Sequence, residues 1–212
     1  MANIPYYQQK DIENIKKLRE MMKELPPFCT EFFRGIEPRT STRTRIAYAY
    51  DLSVFFDFLK KENPVFAKME RMDFKLEQLD QITVTDLEEY MEYLKYRFNE
   101  QNHEIMNQER GIMRKISSLK SFYNYFFRTE KLATNPAALV RLPKLHDKEI
   151  IRLDVDEVAL LLDAVEQGEG LTEKQKAFHK RTRLRDLALL TLLLGTGIRV
   201  SECRSRYQRY RL

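Results

Sequence analysis

The chain has 212 residues, 43% hydrophobic and 33% charged, with 6 glycines, 7 prolines and a net charge of +5. That is enough apolar material for a buried core, and too little Gly and Pro for a disordered or collagen-like polymer. The longest near-continuous apolar run, 187–194, is broken by Thr191 and falls far short of the roughly 20 residues a bilayer span requires, so no membrane partner is expected.

Periodicity predicts helix almost throughout. Residues 11–24 carry Ile12, Ile15, Leu18 and Met22 at helical spacing and stop before Pro26-Pro27. A short helix holding Phe28, Phe32 and Phe33 ends at Gly35. Residues 41–62 place Tyr48, Leu52, Phe55 and Leu59 on one face, with Asn63-Pro64 as the stop. Thr85 with Glu88 reads as a capping box opening a helix whose stripe is Leu87, Met91, Leu94 and Phe98. Residues 104–128 repeat the pattern with Ile112, Ile116, Leu119, Tyr123 and Phe126. Asn135-Pro136 and Pro143 then break regular structure, and a charged stretch near 142–151 reads as an inter-domain linker. Asp154 with Glu157 starts a helix through Val158, Leu161, Leu162 and Val165. After Gly168 and Gly170, Thr172 with Gln175 caps a last long helix through Leu184, Leu187, Leu190 and Leu194 to Gly195. No convincing strand alternation interrupts this order, so the expectation is an all-α chain.

Charge is unevenly distributed. Residues 110–148 hold nine basic residues against two acids, whereas residues 62–104 hold eleven acids against five bases. Blocks of opposite sign polarise a surface, and the basic block is where an anionic polymer would sit. Two cysteines, Cys29 and Cys203, make neither a disulfide framework nor a metal cluster, and no charged start followed by an apolar run opens the sequence. A cytoplasmic setting without metal is expected.

Two constellations could carry chemistry. On the helix through Ile112 and Ile116, Arg110, Arg114, Ser117 and Ser121 lie in steps of four, three and four, flanked by Lys115, Ser118 and Lys120. Small hydroxyl residues between cations allow close approach to a phosphate backbone, and the cations release its counterions. Residues 38–45, with Arg39, Arg43, Thr44 and Arg45, place hydroxyls and guanidinium groups at a helix N-terminus, whose free N–H groups favour anions. The alternative is that both are solvated faces of amphipathic helices. The second constellation is Gly195-Thr196-Gly197-Ile198-Arg199-Val200-Ser201-Glu202, where Glu202 lies one helical turn from Arg199 and can hold its guanidinium. A rigidly held arginine suits a transferring phosphoryl group; the plainer reading is a glycine C-cap and a surface ion pair.

That second segment resembles the first catalytic-arginine box of tyrosine recombinases of the Xer and phage-integrase type. Residues 44–52 with Phe55, Phe58 and Leu59 resemble the first long helix of the family's SAM-like core-binding domain. Residues 114–123, Asn135-Pro136 and Pro143-Lys144 are similar to that domain's last helix and exit, and residues 153–162 to the opening of the catalytic domain. The resemblance implies a helical extension over 1–36, a SAM-like core-binding domain over 37–145, a linker over 146–152 and a truncated, mainly helical catalytic fragment over 153–212. It implies double-stranded DNA as partner, clamped between two domains, and a tyrosine that attacks the phosphodiester within a protein tetramer. No metal, nucleotide or other cofactor and no small-molecule substrate are implied. Arg199 would be the first phosphate-binding arginine and Glu202 its supporting acid. Arg43, Thr44, Arg45, Arg114, Lys115, Ser117, Ser118, Lys120 and Ser121 would face the DNA.

The sequence departs from the family after Cys203. The family's lysine hairpin, histidine–arginine pair and nucleophilic tyrosine lie further on, and His103, His146 and His179 all precede Arg199. A chain lacking the nucleophile is expected to be catalytically incomplete. Residues 204–212 lack apolar periodicity where the family continues Gly-Leu-Asp-Ile. The codons CGG TCT CGA TAT CAA CGA TAT CGA CTT encode this tail, and read one nucleotide later they give Gly-Leu-Asp-Ile-Asn-Asp-Ile-Asp. The expectation is a frameshifted recombinase, a reading the coding DNA tests. The competing function is a non-catalytic helical protein-interaction module with no DNA role.

Overall fold

The computed structural model describes residues 6–99, 101–145 and 152–207. The chain divides into two compact units, Met1–His146 and Asp147–Leu212. Both are helical, and the described residues add one two-stranded sheet. The architecture is all-α.

In the first unit, α1 (Tyr6–Lys23) and α2 (Cys29–Ile36) precede the central helix α3 (Thr42–Glu62). Ser41 starts α3 by accepting a hydrogen bond from the Thr44 N–H at 3.1 Å, satisfying a donor the helix cannot pair internally. Ala49, Leu52, Val54, Phe55, Phe56, Phe58 and Leu59 of α3 are all buried, more than a single stripe. The cause is position: α1, α4 and α5 all pack against it, and a helix clad on several sides is apolar on several sides.

Two expectations are corrected in the next segment. Helix α4 (Val84–Lys95) is capped by Thr83 and Asp86, not by Thr85 and Glu88. The Thr83 N–H donates to the Asp86 carboxylate at 2.7 Å and the Asp86 N–H to the Thr83 hydroxyl at 3.2 Å. Ile82 before the cap and Leu87 after it are both buried, the pattern of a hydrophobic staple that fixes where the helix begins. Phe98 does not continue the α4 stripe, because the chain leaves the helix as β1 (Tyr96–Phe98). This pairs antiparallel with β2 (Glu104–Met106), with Tyr96 opposite Met106 and Phe98 opposite Glu104. Alternation puts Arg97 inside the hairpin and leaves Tyr96, Phe98 and Met106 exposed. Helix α5 (Glu109–Arg128) therefore starts after residue 104, and α6 (Pro136–Leu139) follows, capped by Asn135.

The core is aromatic. Phe122 of α5 has Phe28, Phe32, Phe56, Tyr123 and Phe126 with ring centroids 5.1–6.5 Å away, mostly edge to face, the arrangement ring quadrupoles favour. Cys29 is buried beside these rings, and burial pushes its thiol well up from the ordinary 9.0. The unfolded chain then loses this proton first, so the group's contribution to stability is complete below pH 9 and is lost as pH rises above it. The stability advantage of wild type over Cys29→Ala is expected to shrink by about 1.4 kcal/mol per pH unit above 9. Urea titrations of both proteins from pH 8 to 10.5 check this, and a constant difference refutes it.

The second unit begins with α7 (Val155–Gln167), where the predicted Asp154–Glu157 box is present. Gly168 ends it in the left-handed region at φ 74°. Helix α8 (Glu173–Thr196) is capped by Thr172 and Gln175 as expected, and α9 (Val200–Tyr207) follows. His179 Nε2 lies 2.7 Å from the Val165 carbonyl and ties α8 to α7. No residue of α7 or α8 is buried, and Leu184, Leu189, Leu192 and Leu194 are exposed. Within the described residues, no helix is long and apolar enough to cross a membrane, and no group of His, Cys, Asp and Glu could hold a metal ion. The linker expected over 146–152 falls almost wholly, and the last five tail positions fall wholly, outside the described residues.

Candidate functional site

The start of α3 carries the first candidate cluster. Arg43 is exposed and Thr44 is half-buried, its hydroxyl 2.9 Å from that of Ser41. Arg45 does not face outward as expected. It is buried, with Nη1 donating to Glu37 at 2.6 Å and Nε left without a partner. One turn from Ser41, its side chain folds back over the short 3-10 turn Glu37–Arg39.

Helix α5 carries the second cluster, and the structure sorts it into two faces. Arg110, Arg114 and Ser117 are exposed and Ser121 is half-buried, and the same row continues to Asn124 and Arg128. The flanking positions are corrected: Lys115 and Ser118 are buried, because they share the inward side of the helix with Ile112, Leu119 and Phe122. Lys115 Nζ donates to Asn107 Oδ1 at 3.2 Å and lies 6.0 Å above the Tyr50 ring. Ser118 Oγ donates to Asp51 at 2.6 Å. Lys120 Nζ donates to the Val140 carbonyl at 3.0 Å, fastening α5 to the segment after α6. Ser117 bonds back to the Met113 carbonyl at 2.8 Å.

The two clusters meet. A groove of about 390 Å³ runs between the α2–α3 turn and α5, lined by Gly35, Arg39, Thr40, Ser121, Asn124 and Arg128 among others. Gly35 leaves room for the Tyr125 ring of α5: a Cβ would sit 2.1 Å from Tyr125 Cε2, so a larger residue there would force that side chain to move. Arg39 and Arg128 are exposed and form no ion pair among the described residues.

Beneath the exposed row, Asp51 of α3 is 0% exposed and accepts from Arg114 Nη1 and Nη2, both at 2.8 Å. Burial pushes the Asp51 carboxyl up from its ordinary value, opposed by the Ser118 hydrogen bond and the charges of Arg114 and Lys115. Burial likewise lowers Lys115.

In the second unit, Gly197 ends α8 in the left-handed region at φ 64° and turns the chain into Arg199. Glu202 takes the Arg199 N–H at 2.9 Å and Arg199 Nη1 at 3.1 Å. The predicted pairing exists, but both side chains are open, 82% and 52% exposed, so the contact orients the arginine and contributes little stability.

No family model and no solved structure matches the chain. Curated proteins do. A tyrosine recombinase XerC of Caldanaerobacter subterraneus subsp. tengcongensis is 34% identical over 184 residues, 84% of this chain and 47% of the relative. A tyrosine recombinase XerC of Chlorobaculum tepidum is 32% identical over 201 residues, 92% of this chain and 53% of the relative. A tyrosine recombinase XerC of Pediococcus pentosaceus is 32% identical over 168 residues, 79% of this chain and 46% of the relative. The chain belongs to the tyrosine recombinase family. It spans about half the length of the curated relatives it matches.

In this tyrosine recombinase chain, the sequence alone does not single out Asn124 and Arg128 as groove-lining residues, nor Asp51 as the acid beneath the row. A signal for the first two was available, since they extend the row from Ser121 by three and then four residues. Asp51 had none, because its partners Arg114 and Ser118 are more than sixty positions away.

Proposed function

We propose that the chain binds duplex DNA as the core-binding part of a site-specific tyrosine recombinase. The observation that carries this reading is the groove in which Arg39 and Thr40 from the turn between α2 and α3 face Ser121, Asn124 and Arg128 of α5. Two unpaired guanidinium groups, hydroxyls and an amide along one furrow suit consecutive phosphates, which position a duplex without reading its sequence. Arg43, Arg110 and Arg114 extend the same positive surface. In DNA strand cleavage and rejoining by the whole protein, Arg199 would bind the scissile phosphate, with Glu202 fixing its guanidinium against charge developing on the phosphoryl oxygens. Assembly as a tetramer on DNA belongs to the same proposal.

The test is fluorescence anisotropy with a labelled duplex over a salt series. Reversing two groove charges, Arg39→Glu with Arg128→Glu, is expected to weaken binding at least tenfold and to lower the log–log salt slope by about 1.8, the loss of two phosphate contacts. Among the described residues neither arginine has an ion-pair partner to lose, so the helical content stays as in wild type. Unchanged affinity in the double variant refutes the groove, and salt-independent behaviour favours the protein-interaction reading.

A further inference from the structure

We infer that Asp51 is a positioning residue of the DNA interface: it holds Arg114 by one edge of the guanidinium so that the other edge grips a backbone phosphate. The inference rests on the DNA-binding reading above and adds to it the residue that aims the contact.

A guanidinium has five N–H groups and two flat edges that can meet a pair of oxygens. One edge is formed by Nη1 and Nη2, the other by Nε and Nη2. Asp51 occupies the first edge completely, with Nη1 on Oδ2 and Nη2 on Oδ1 at 2.8 Å each. The second edge, Nε–H with the remaining Nη2–H, makes no hydrogen bond among the described residues. It matches the oxygen spacing of a phosphodiester as well as the first edge matches a carboxylate.

Burial separates the two partners. Asp51 is wholly enclosed while the Arg114 side chain is 47% exposed. A pair serving only the core would enclose both; this one roots an arginine in the interior and leaves half of it in water. Ser118 completes the rooting, donating to Asp51 Oδ2 at 2.6 Å. The surroundings also favour an incoming anion. Arg97 and Lys115 add positive charge to the cluster, and neither forms an ion pair among the described residues. Arg114 and Lys115 thus both act on one carboxylate, with Arg97 beside them. Arg110 lies one turn before Arg114 on the same open face, so a phosphate there meets two arginines.

Substituting Asp51 separates positioning from charge. Asp51→Asn removes a negative charge, so a purely electrostatic account expects DNA binding to tighten. The positioning account expects binding to weaken about tenfold and the salt slope to fall by about 0.9, one phosphate contact, in a protein whose circular dichroism confirms folding. Should Asp51→Asn fail to fold, Ser118→Ala decides the matter in two backgrounds. It should weaken binding about threefold in wild type and have no effect once Arg114→Lys has removed the two-edged group. Arg114→Lys binding as wild type, Asp51→Asn binding equally or more tightly, or Ser118→Ala acting equally in both backgrounds overturns the inference. If these variants behave as wild type while Arg39→Glu with Arg128→Glu still weakens binding, only the role of Asp51 falls; if wild type shows no salt-dependent duplex binding, both readings fall together.

Discussion

Asp51→Ala is expected to lower the unfolding free energy of the first unit by about 3 kcal/mol, the lower end of the cost of breaking a buried ion pair. The lower end applies because Arg114 is half-exposed and regains water once its partner is gone. Ser118 does not: it is buried and is left with only its second, 3.2 Å contact to the Arg114 carbonyl. Lys115 also loses the one acid that offsets its burial. Arg114→Ala should cost at least as much, since the group it strands is a fully enclosed carboxylate. Urea unfolding followed by helical circular dichroism measures both. A loss below about 1 kcal/mol in each variant is what an exposed pair would give, and it would mean that the α3–α5 contact does not depend on this carboxylate.

Phe122→Ala is expected to be the more damaging change, at about 4–5 kcal/mol. Its ring is 0% exposed and lies among five other aromatic rings contributed by α2, α3 and α5 and the turn before α2. Truncation leaves a cavity walled by stiff rings, which close in less readily than aliphatic chains, and it removes the edge-to-face contacts as well. Against a domain stability of about 5–15 kcal/mol, the variant should melt far earlier and bind the dye ANS near physiological temperature. Phe122→Leu should recover part of the loss by refilling volume. A Phe122→Ala protein within 1 kcal/mol of wild type would show that this cluster is not the centre of the core.

Much of this architecture is legible in the residues. Ser41 opens α3, Asp154 and Glu157 open α7, and Thr172 and Gln175 open α8, each because a local hydrogen bond demands that residue type, whereas the end expected for α8 at Gly195 falls two residues later, at Gly197 in the left-handed region. The hairpin was not legible, since three residues on each strand are too few to display alternation against a helical background. The α4 cap is ambiguous for a different reason: Thr83 with Asp86 and Thr85 with Glu88 both fit the capping pattern, and only the buried pair Ile82 and Leu87 chooses between them. On α5, spacing locates the outward row. It did not reveal that Arg45, Lys115 and Ser118 turn inward, because their partners Glu37, Asn107 and Asp51 lie on other elements.

The division of α5 into an enclosed side and an open side sets the latitude for change along it. Arg110, Ser117, Asn124 and Arg128 have no enclosed surroundings to disturb, so these positions can be exchanged freely while the scaffold stays intact. Lys115 and Ser118, one step away in sequence from exposed neighbours, have no such freedom. If that row grips DNA as proposed, the grip can diversify along a single line of one helix, independently of the packing that keeps that helix in place.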